Sequence, residues 1–362
     1  MKKIHTLIFF IFITGILFTK THTYYYDKEW NRLKTPKNAA YYREINDKKN
    51  SKGYSYTDFF INGRSKSSGY MKSFNNKSSI SGNVITYDFD GKTAEISSYL
   101  MGKKHGKSIK YYRNGTISNV TGYKNGMKHG KEIKYFENET VSYEANYKNN
   151  LLHGTEIFYK FNGDIISKIE YKYNKYDGKY IVYNKSFPIL EITYKKGVKE
   201  GDYSEYFETG ILKESAVYEN GKIENIKKEY YESGTVRSEI NYKNGTVDGI
   251  GRYYYEGGEL FSEGFFSDGV RVGIWKTYNV NSKISFTENY SNNQEDIERI
   301  EYSPNEILEA KKYFSKGIPI GIWEFFDENG NKVIEAEFRD GERLAFRLLD
   351  LNGRVLEEVI YN

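Results

Sequence analysis

Three histidines stand at equal intervals in the first half of the chain and could be read as a metal site. His105, His129 and His153 are each 24 residues apart. Zinc needs histidine nitrogens about 2 Å away. Equivalent residues of successive hairpins lie about 10 Å apart, so three in a row cannot share one ion. We therefore predict that they are polar turn residues, in a column that continues as Asp177, Glu200, Glu224 and Asp248. We predict no metal and no cofactor.

A run of basic residues could bind an anionic partner. Residues 101–134 hold nine basic residues and one acid, Glu132. Several recur in register, which in stacked hairpins would form a basic stripe. Such a stripe could contact anionic lipid, acidic glycan or acidic protein; the alternative is a solvated face that keeps the protein soluble. The candidate contact residues are Lys104, Lys107, Lys110, Arg113, Lys128, Lys131 and Lys134.

Two tryptophans occupy equivalent places, and no catalytic motif accompanies them. Trp275 and Trp323 each end a Gly-Ile-Trp sequence, where they could pack in a core or offer a platform for stacking a glycan. The sequence contains no H-E-x-x-H, G-x-S-x-G, phosphate-binding or dinucleotide-binding motif. We therefore predict that the protein is not an enzyme.

The elements that position these residues follow a 24-residue period. An opening glycine recurs at Gly82, Gly106, Gly130, Gly154, Gly178, Gly201, Gly249, Gly273 and Gly321, and the skipped positions hold Asn225 and Ile297. An aromatic residue follows each opener by five residues, and an aliphatic residue follows most of them by about eleven. A second aromatic comes about seventeen residues after most openers, as at Tyr123 and Tyr147. A fixed period of this length is typical of a repeat protein.

Each period reads as one antiparallel hairpin. Asn-Gly and Asp-Gly pairs, as at Asn114 and Asn125, supply the positive φ that tight turns need. Between the turns, apolar and polar residues alternate with a period of two. We predict an all-β fold, an elongated array of about twelve antiparallel hairpins in one long twisted sheet, with the tyrosine and isoleucine columns packed along one face.

The pattern G-x4-Y-[YF]-x2-G-x-[IVL]-x5-Y-x2-G, from about Gly82 to Phe346, resembles the bacterial variant of the MORN repeat, which also occurs in proteins described as antitoxin-like. The resemblance implies a sheet of successive hairpins. It also implies association with membrane lipids or a scaffolding role, and it brings no catalytic residue.

The flanking segments differ from the repeats. Residues 1–23, with a basic start and an apolar run, predict a cleaved signal peptide; an uncleaved anchor is the alternative. Residues 24–52 form a lead-in, in which residues 38–45 could make a short helix. Residues 53–81 read as a degenerate capping repeat, 82–345 as MORN-like repeats and 346–362 as a truncated last repeat.

Charge and composition limit the partners. Without residues 1–23 the chain has 51 basic and 49 acidic residues, which argues against nucleic-acid binding. From residue 297 onward, 9 basic and 14 acidic residues make the end of the chain acidic, so head-to-tail self-association is a further hypothesis. The absence of cysteine excludes disulfides and lipid-modified cysteine.

These features together predict a non-enzymatic exported protein in the periplasm, at the cell surface or secreted. We expect it to act as a scaffold for another protein in the cell envelope. The alternatives are neutralisation of a toxin protein, as the antitoxin-like relatives imply, and binding to an anionic membrane surface through the basic stripe.

Overall fold

Strands and turns make up the protein. The computed structural model describes residues 19–74, 79–291 and 295–361, and in that part of the chain it contains 29 β-strands and no α-helix. The predicted all-β hairpin array is confirmed. Among the described residues there is also no helix of the length and apolar character needed to cross a membrane. The predicted signal segment, up to residue 18, lies outside the described residues.

The strands fall into two compact units, residues 1–153 with 161–163 and residues 154–160 with 164–362. The first contains β1 (Thr21–Tyr26), β2 (Arg32–Leu33), β3 (Tyr41–Asn46), β4 (Tyr54–Phe60), β5 (Ser65–Met71), β6 (Gly82–Tyr87), β7 (Thr93–Leu100), β8 (Lys103–Tyr111), β9 (Ile117–Lys124), β10 (Met127–Tyr135) and β11 (Val141–Lys148). Strand β12 (Leu151–Tyr159) has residues in both units.

The second unit continues with β13 (Ile165–Lys172), β14 (Lys175–Asn184), β15 (Phe187–Lys195), β16 (Val198–Tyr206), β17 (Leu212–Glu219), β18 (Lys222–Tyr230), β19 (Val236–Lys243), β20 (Thr246–Tyr254) and β21 (Leu260–Ser267). It ends with β22 (Val270–Tyr278), β23 (Ile284–Tyr290), β24 (Asp296–Tyr302), β25 (Leu308–Ser315), β26 (Ile318–Phe326), β27 (Lys332–Arg339), β28 (Glu342–Leu349) and β29 (Val355–Ile360).

Pairing follows chain order within each unit. In the first, β1 pairs with β2 and β3, and each strand from β3 to β11 pairs antiparallel with the next. In the second, β13 to β29 do the same. The sheet of each unit is therefore a succession of hairpins.

The turns have the predicted chemistry. At the end of β9, Asn125 and Gly126 have φ of 53° and 87°, the two positive values that a tight two-residue hairpin turn requires. Asn220 and Gly221 repeat them with 50° and 83°. The amide side chain of asparagine tolerates this conformation, and glycine adopts it without strain.

The lead-in segment belongs to the sheet, and the helix predicted for residues 38–45 is wrong. Residues Tyr41–Asn46 form β3, which pairs with β1 on one side and β4 on the other. Arg43 and Ile45 of this strand are buried while their neighbours are only partly covered. The residues therefore alternate with the strand period of two, which the sequence analysis overlooked in a segment rich in helix-compatible residues.

The opening glycine lies inside a strand, at a bulge. Three residues separate Lys104 from Ser108 in β8, whereas the partner residues on β7, Tyr99 and Ser97, are separated by one. Gly106, within the longer stretch, has φ of 97°. The same two-residue excess recurs between β10 and β9. A bulge of this kind needs a residue in the left-handed region.

Two repeats lack glycine at this position, and they show that the residue there determines whether the bulge forms. Asn225 takes a φ of 64°, and the register shift is kept. At Ile297 no such φ occurs, and β24 pairs with β23 in continuous register. The recurring residue therefore encodes the bulge, and the hairpin continues without one where a β-branched residue stands.

The faces of the first unit differ in burial. Its buried side chains, among them Ile45, Ser97, Ser108 and Glu132, lie on one face, which we call the buried face. We call the opposite side, which carries Ile109, the ladder face. Tyr147 contacts Lys128 and lies on the buried face, whereas Tyr87 bonds Ser68 on the ladder face. The two aromatic columns are thus on opposite faces, so the tyrosine and isoleucine columns do not all pack along one face as predicted; the first aromatic column does lie opposite the aliphatic column, as Tyr111 opposes Ile117.

The bulge predicts a graded response at Gly130, whose φ is 83° and whose missing Cβ would meet no atom within 4 Å. Because only the backbone conformation resists a side chain here, we expect Gly130→Ala to cost about 1–2 kcal/mol. We expect Gly130→Asn to cost less, since Asn225 adopts the left-handed conformation at the equivalent position of another repeat. Urea unfolding monitored by circular dichroism measures both; an alanine variant as stable as the parent would contradict the account.

Candidate functional site

The structure divides the predicted basic stripe between the two faces. Lys104 contacts Glu95 on the buried face, beside Ser108. Because side chains alternate along a strand, Lys110 shares the face of Ser108, and Lys107 points to the ladder face. In β10, Glu132 and Lys134 lie on the buried face and Lys131 on the ladder face. The seven candidate residues therefore do not form one surface.

Glu95 organises the first group on the buried face. Its carboxylate accepts hydrogen bonds from Ser97 at 2.5 Å and Ser108 at 2.6 Å, and it forms an ion pair with Lys104. Burial alone would raise the pKa of Glu95, but the bonds from Lys104, Ser108 and Ser97 outweigh it and lower the pKa to about 2. Lys104 also lies 5.2 Å from the ring centroid of Tyr123, so its charge is compensated.

The next hairpin repeats this arrangement with other residues. Lys128 Nζ lies 2.8 Å from Glu132 Oε1, and Asn119 and Thr121 donate to the same carboxylate at 3.2 and 3.1 Å. Glu132 is only 2% exposed. Burial opposes the charged form, yet the bonds from Lys128 and Asn119 lower the pKa of Glu132. Both lysines are thus structural partners of acids on the buried face.

The remaining basic residues vary in availability. Lys134 lies 4.3 Å from the ring centroid of Tyr143. Arg113 and Asp90 form an exposed pair at 3.7 Å, and Lys131 is 3.7 Å from Glu144; such pairs contribute little. Among the described residues Lys107 has no ion pair. Of the seven candidates, Lys107 and Lys131 are therefore the cations on the ladder face.

The ladder face also carries a feature that the sequence analysis missed. Five aliphatic side chains from five consecutive strands stand directly opposite one another, in the order Ile85, Ile96, Ile109, Val120 and Ile133. We call this row the aliphatic ladder. None of its members is fully buried. Five strands at about 4.8 Å spacing make a row of about 19 Å.

The ladder has defined edges. Ser68 opposes Ile85 at one end and Glu144 opposes Ile133 at the other. Along its sides, Tyr111 lies two residues beyond Ile109 on the same strand, and the Lys107 side chain two residues before it. The aliphatic positions are visible in the sequence, but that they form one row follows only from the strand pairing.

The histidine column lies inside strands: His105, His129 and His153 belong to β8, β10 and β12. His105 Nδ1 lies 3.3 Å from the turn residue Asn125. Further along, backbone N–H groups of the equivalent turns donate to Asp177 at 3.2 Å, Glu200 at 2.8 Å and Glu224 at 2.6 Å. These residues were predicted to be turn residues; they are strand residues, of which His105, Asp177, Glu200 and Glu224 contact a neighbouring turn. Within the described part of the chain, no three residues of ligand type come together as a metal site.

Trp275 is a packing residue. It is 2% exposed, its indole N–H donates to the Phe265 carbonyl at 3.0 Å, and its ring lies edge-on to Phe266. A Cβ added to Gly264 would lie 2.3 Å from the indole, so this glycine makes room for it. Trp323 donates in the same way to Tyr313, at 3.0 Å. The core interpretation is confirmed for Trp275.

The repeat geometry can now be compared with known families. The model described as "MORN repeat variant" matches residues 104–125, 128–149, 152–173, 199–220, 223–244, 247–268 and 319–340. The chain contains MORN repeats. Each matched segment in the first unit starts beside the bulge, as at Lys104 and Lys128, and ends in the tight turn. MORN repeats are non-catalytic modules that contact proteins or membranes.

Other comparisons add little to the family assignment. A search of curated proteins finds no match. A crystal structure of TcdB2-TccC3 without its hypervariable C-terminal region is 12% identical over 89% of this chain, with a TM-score of 0.14; the chain spans 22% of its length. A crystal structure of the eukaryotic initiation factor is 10% identical, over 88% of this chain and 96% of that one, with a TM-score of 0.20.

The Glu95 network predicts a stability that depends on pH. The pKa of Glu95 is about 2 in the folded chain and near 4.5 when unfolded, so its contribution is complete above about pH 4.5 and disappears as the pH falls towards 2. We expect Glu95→Gln to lower the free energy of unfolding by about 1–3 kcal/mol at pH 7 and by little near pH 2.

Urea unfolding at several pH values measures this difference. Glu137→Gln, at an exposed turn position, is the matched control and should behave as the parent does. A constant difference between Glu95→Gln and the parent across this pH range would show that the ionised carboxylate is not the stabilising group.

Proposed function

We propose that this MORN-repeat protein is an exported, non-enzymatic scaffold that binds another protein through the aliphatic ladder. The observation that carries the proposal is the row of five opposed aliphatic side chains, each of them partly exposed. The buried face satisfies its polar groups internally, as the Glu95 and Glu132 networks illustrate. The ladder residues are apolar and partly exposed, and a contiguous apolar row at the surface is typical of an interaction site.

Charge favours an acidic protein as the partner. Lys107 and Lys131 stand on the same face as the ladder, and Lys107 lacks an ion pair among the described residues. An apolar centre with polar and charged residues around it is the usual anatomy of an interface. The tyrosines beside the ladder, among them Tyr87 and Tyr111, offer both ring surface and a hydroxyl group, which suits protein recognition.

Capture with matched variants tests this function. The full chain is used as bait on an envelope extract, with Ile109→Thr and Ile133→Thr as test variants, since threonine keeps strand propensity while removing apolar surface. We expect a captured protein to be depleted at least about tenfold by the two threonine substitutions together. Lys110→Gln, on the opposite face, should retain it.

The outcomes separate the protein hypothesis from its rivals. A protein captured equally by the parent and by the variant with both threonine substitutions would place the interface elsewhere and contradict the proposal. Capture of another copy of this chain, with a larger species in sedimentation at low salt, would favour self-association instead.

Anionic membrane lipid is the alternative ligand with support from residues on the ladder face. Lys107 and Lys131 could contact lipid headgroups, but the other lysines of the predicted stripe lie on the buried face. Vesicles containing phosphatidylglycerol provide the test. Pelleting that is lost in the Lys107→Gln, Lys131→Gln double variant and kept in the threonine variants would replace the protein partner by a membrane surface.

Neutralisation of a toxin is the remaining alternative. It rests on the resemblance to antitoxin-like MORN proteins, and it would require the protein to act where the toxin is made or delivered. Retention of residues 1–23 on a cytosolic protein would favour it over the exported scaffold.

Export makes a prediction about the mature N-terminus. The Asp47 N–H donates to the Lys20 carbonyl, and the Lys20 N–H donates to the Asp47 carboxylate, each at 3.0 Å. Residues 21–23 pair with β3. Cleavage after Thr23 would remove this edge of the sheet. We therefore expect the mature chain to begin at or before Lys20, as measured by intact mass of the protein recovered outside the cytosol. A mass that begins at Tyr24 would contradict this boundary, and an uncleaved cytosolic chain would contradict export.

A further inference from the structure

A cavity of about 330 Å³ lies at the N-terminal end of the buried face, and its lining contains no residue of the basic stripe or of the ladder. Its walls come from the turn before β2, from strands β3 to β7 and from the segments beside them. A cavity of this volume is within the range of small-molecule sites. We propose that it binds a saccharide unit that carries a carboxylate.

Aromatic rings supply one wall of the cavity. Trp30 has a φ of 65° in a turn closed by Asp27, whose carboxylate accepts the Asn31 N–H at 2.8 Å. The indole stacks on Tyr41, with 5.0 Å between centroids and 12° between planes. The ring is thus held in place before any ligand arrives. A fixed aromatic face suits the apolar C–H face of a sugar ring.

The floor of the cavity is polar and already satisfied. Arg43 Nε and Nη2 donate to the two oxygens of Asp58 at 2.6 and 3.0 Å, and these residues are 5% and 2% exposed. Ser67 donates to the same carboxylate at 2.9 Å. The opposite charges compensate each other, so the pair is a rigid base. The hydroxyls of Ser67 and Thr86 line the cavity and can exchange hydrogen bonds with sugar hydroxyls.

Lys66 gives the cavity its selectivity for an acid. Its Nζ lies 3.6 Å from the ring centroid of Tyr41 and 5.1 Å from that of Trp30. In the part of the chain that the structure describes, Lys66 forms no ion pair, so the lining has a net charge of +1. One unpaired ammonium matches one carboxylate. Phosphate is favoured by a guanidinium fork, and the fork of Arg43 is taken by Asp58.

Titration calorimetry on the full chain tests the assignment with two probes of equal length. One is a tetrasaccharide of alternating glucuronic acid and N-acetylglucosamine, and the other is the uncharged N-acetylglucosamine tetramer. We expect the acidic probe to bind about tenfold more tightly than the neutral one. Lys66→Gln should remove this difference, and Lys66→Arg should restore it. The exposed Lys34, outside the cavity, provides the control variant Lys34→Gln, which should bind as the parent does.

The aromatic wall is tested separately. Trp30→Leu should weaken both probes, whereas Lys66→Gln should weaken only the acidic one. Circular dichroism and the urea midpoint of each variant establish that it is folded. Two results would overturn the proposal: no binding of the acidic probe at millimolar concentration, or binding that Lys66→Gln and Trp30→Leu leave unchanged. Equal affinity of the parent for both probes would overturn the assignment of an acid. None of these results bears on the ladder, so the two proposals fail independently.

Discussion

The residue in the left-handed conformation within the first strand of most repeats is the constraint on which the arrangement depends. At Gly106 and Gly130 it lets three residues on one strand span one residue on the partner strand. The strand resumes its alternation beyond the bulge. Lys104 can therefore reach the carboxylate that Ser108 also contacts, although four positions separate them. A repeat without this bulge, as at Ile297, keeps simple cross-strand pairs instead.

This constraint explains why the two faces of the first unit have different chemistry. On the buried face, long charged side chains fold back over the sheet and meet acids beneath the aromatic column, as Lys128 meets Glu132. Such groups are stable in low dielectric only when paired and hydrogen-bonded. On the ladder face, short aliphatic side chains stand opposite one another with no such partners. One face is thus linked by ion pairs and hydrogen bonds between strands, whereas the aliphatic row of the other face remains partly exposed.

Much of the fold could be predicted from the sequence, because the period, the turn pairs and the strand alternation are local signals. Asn125-Gly126 specifies its turn without reference to the rest of the chain. The candidate site could be predicted less well. Lys107 and Lys110 look equivalent in a charge count, yet an odd separation along a strand places them on opposite faces. The lead-in was misjudged because its contribution, the pairing of β3 with β1 and β4, is visible only when distant segments come together.

The cavity beside Trp30 could not be predicted for the same reason. Its charged floor joins Arg43 of one strand to Asp58 of the next, and the spacing of these residues in the sequence does not predict a bidentate pair. The repeats carry the strong sequence signal, whereas most of the cavity lining comes from the segments that precede them. Regularity therefore marks the scaffold of this molecule more clearly than it marks its recognition sites.

The central claim is that the ladder face, and not the buried face, meets the partner. Site-specific photo-crosslinking in the producing cells tests it most directly, with a photoreactive residue placed at Lys107 in one variant and at Lys110 in the other. Both positions are exposed and belong to the same strand, but they lie on opposite faces. The account predicts a crosslinked protein adduct from position 107 and none from position 110. An adduct from position 110 alone, or equal adducts from both positions, would contradict it.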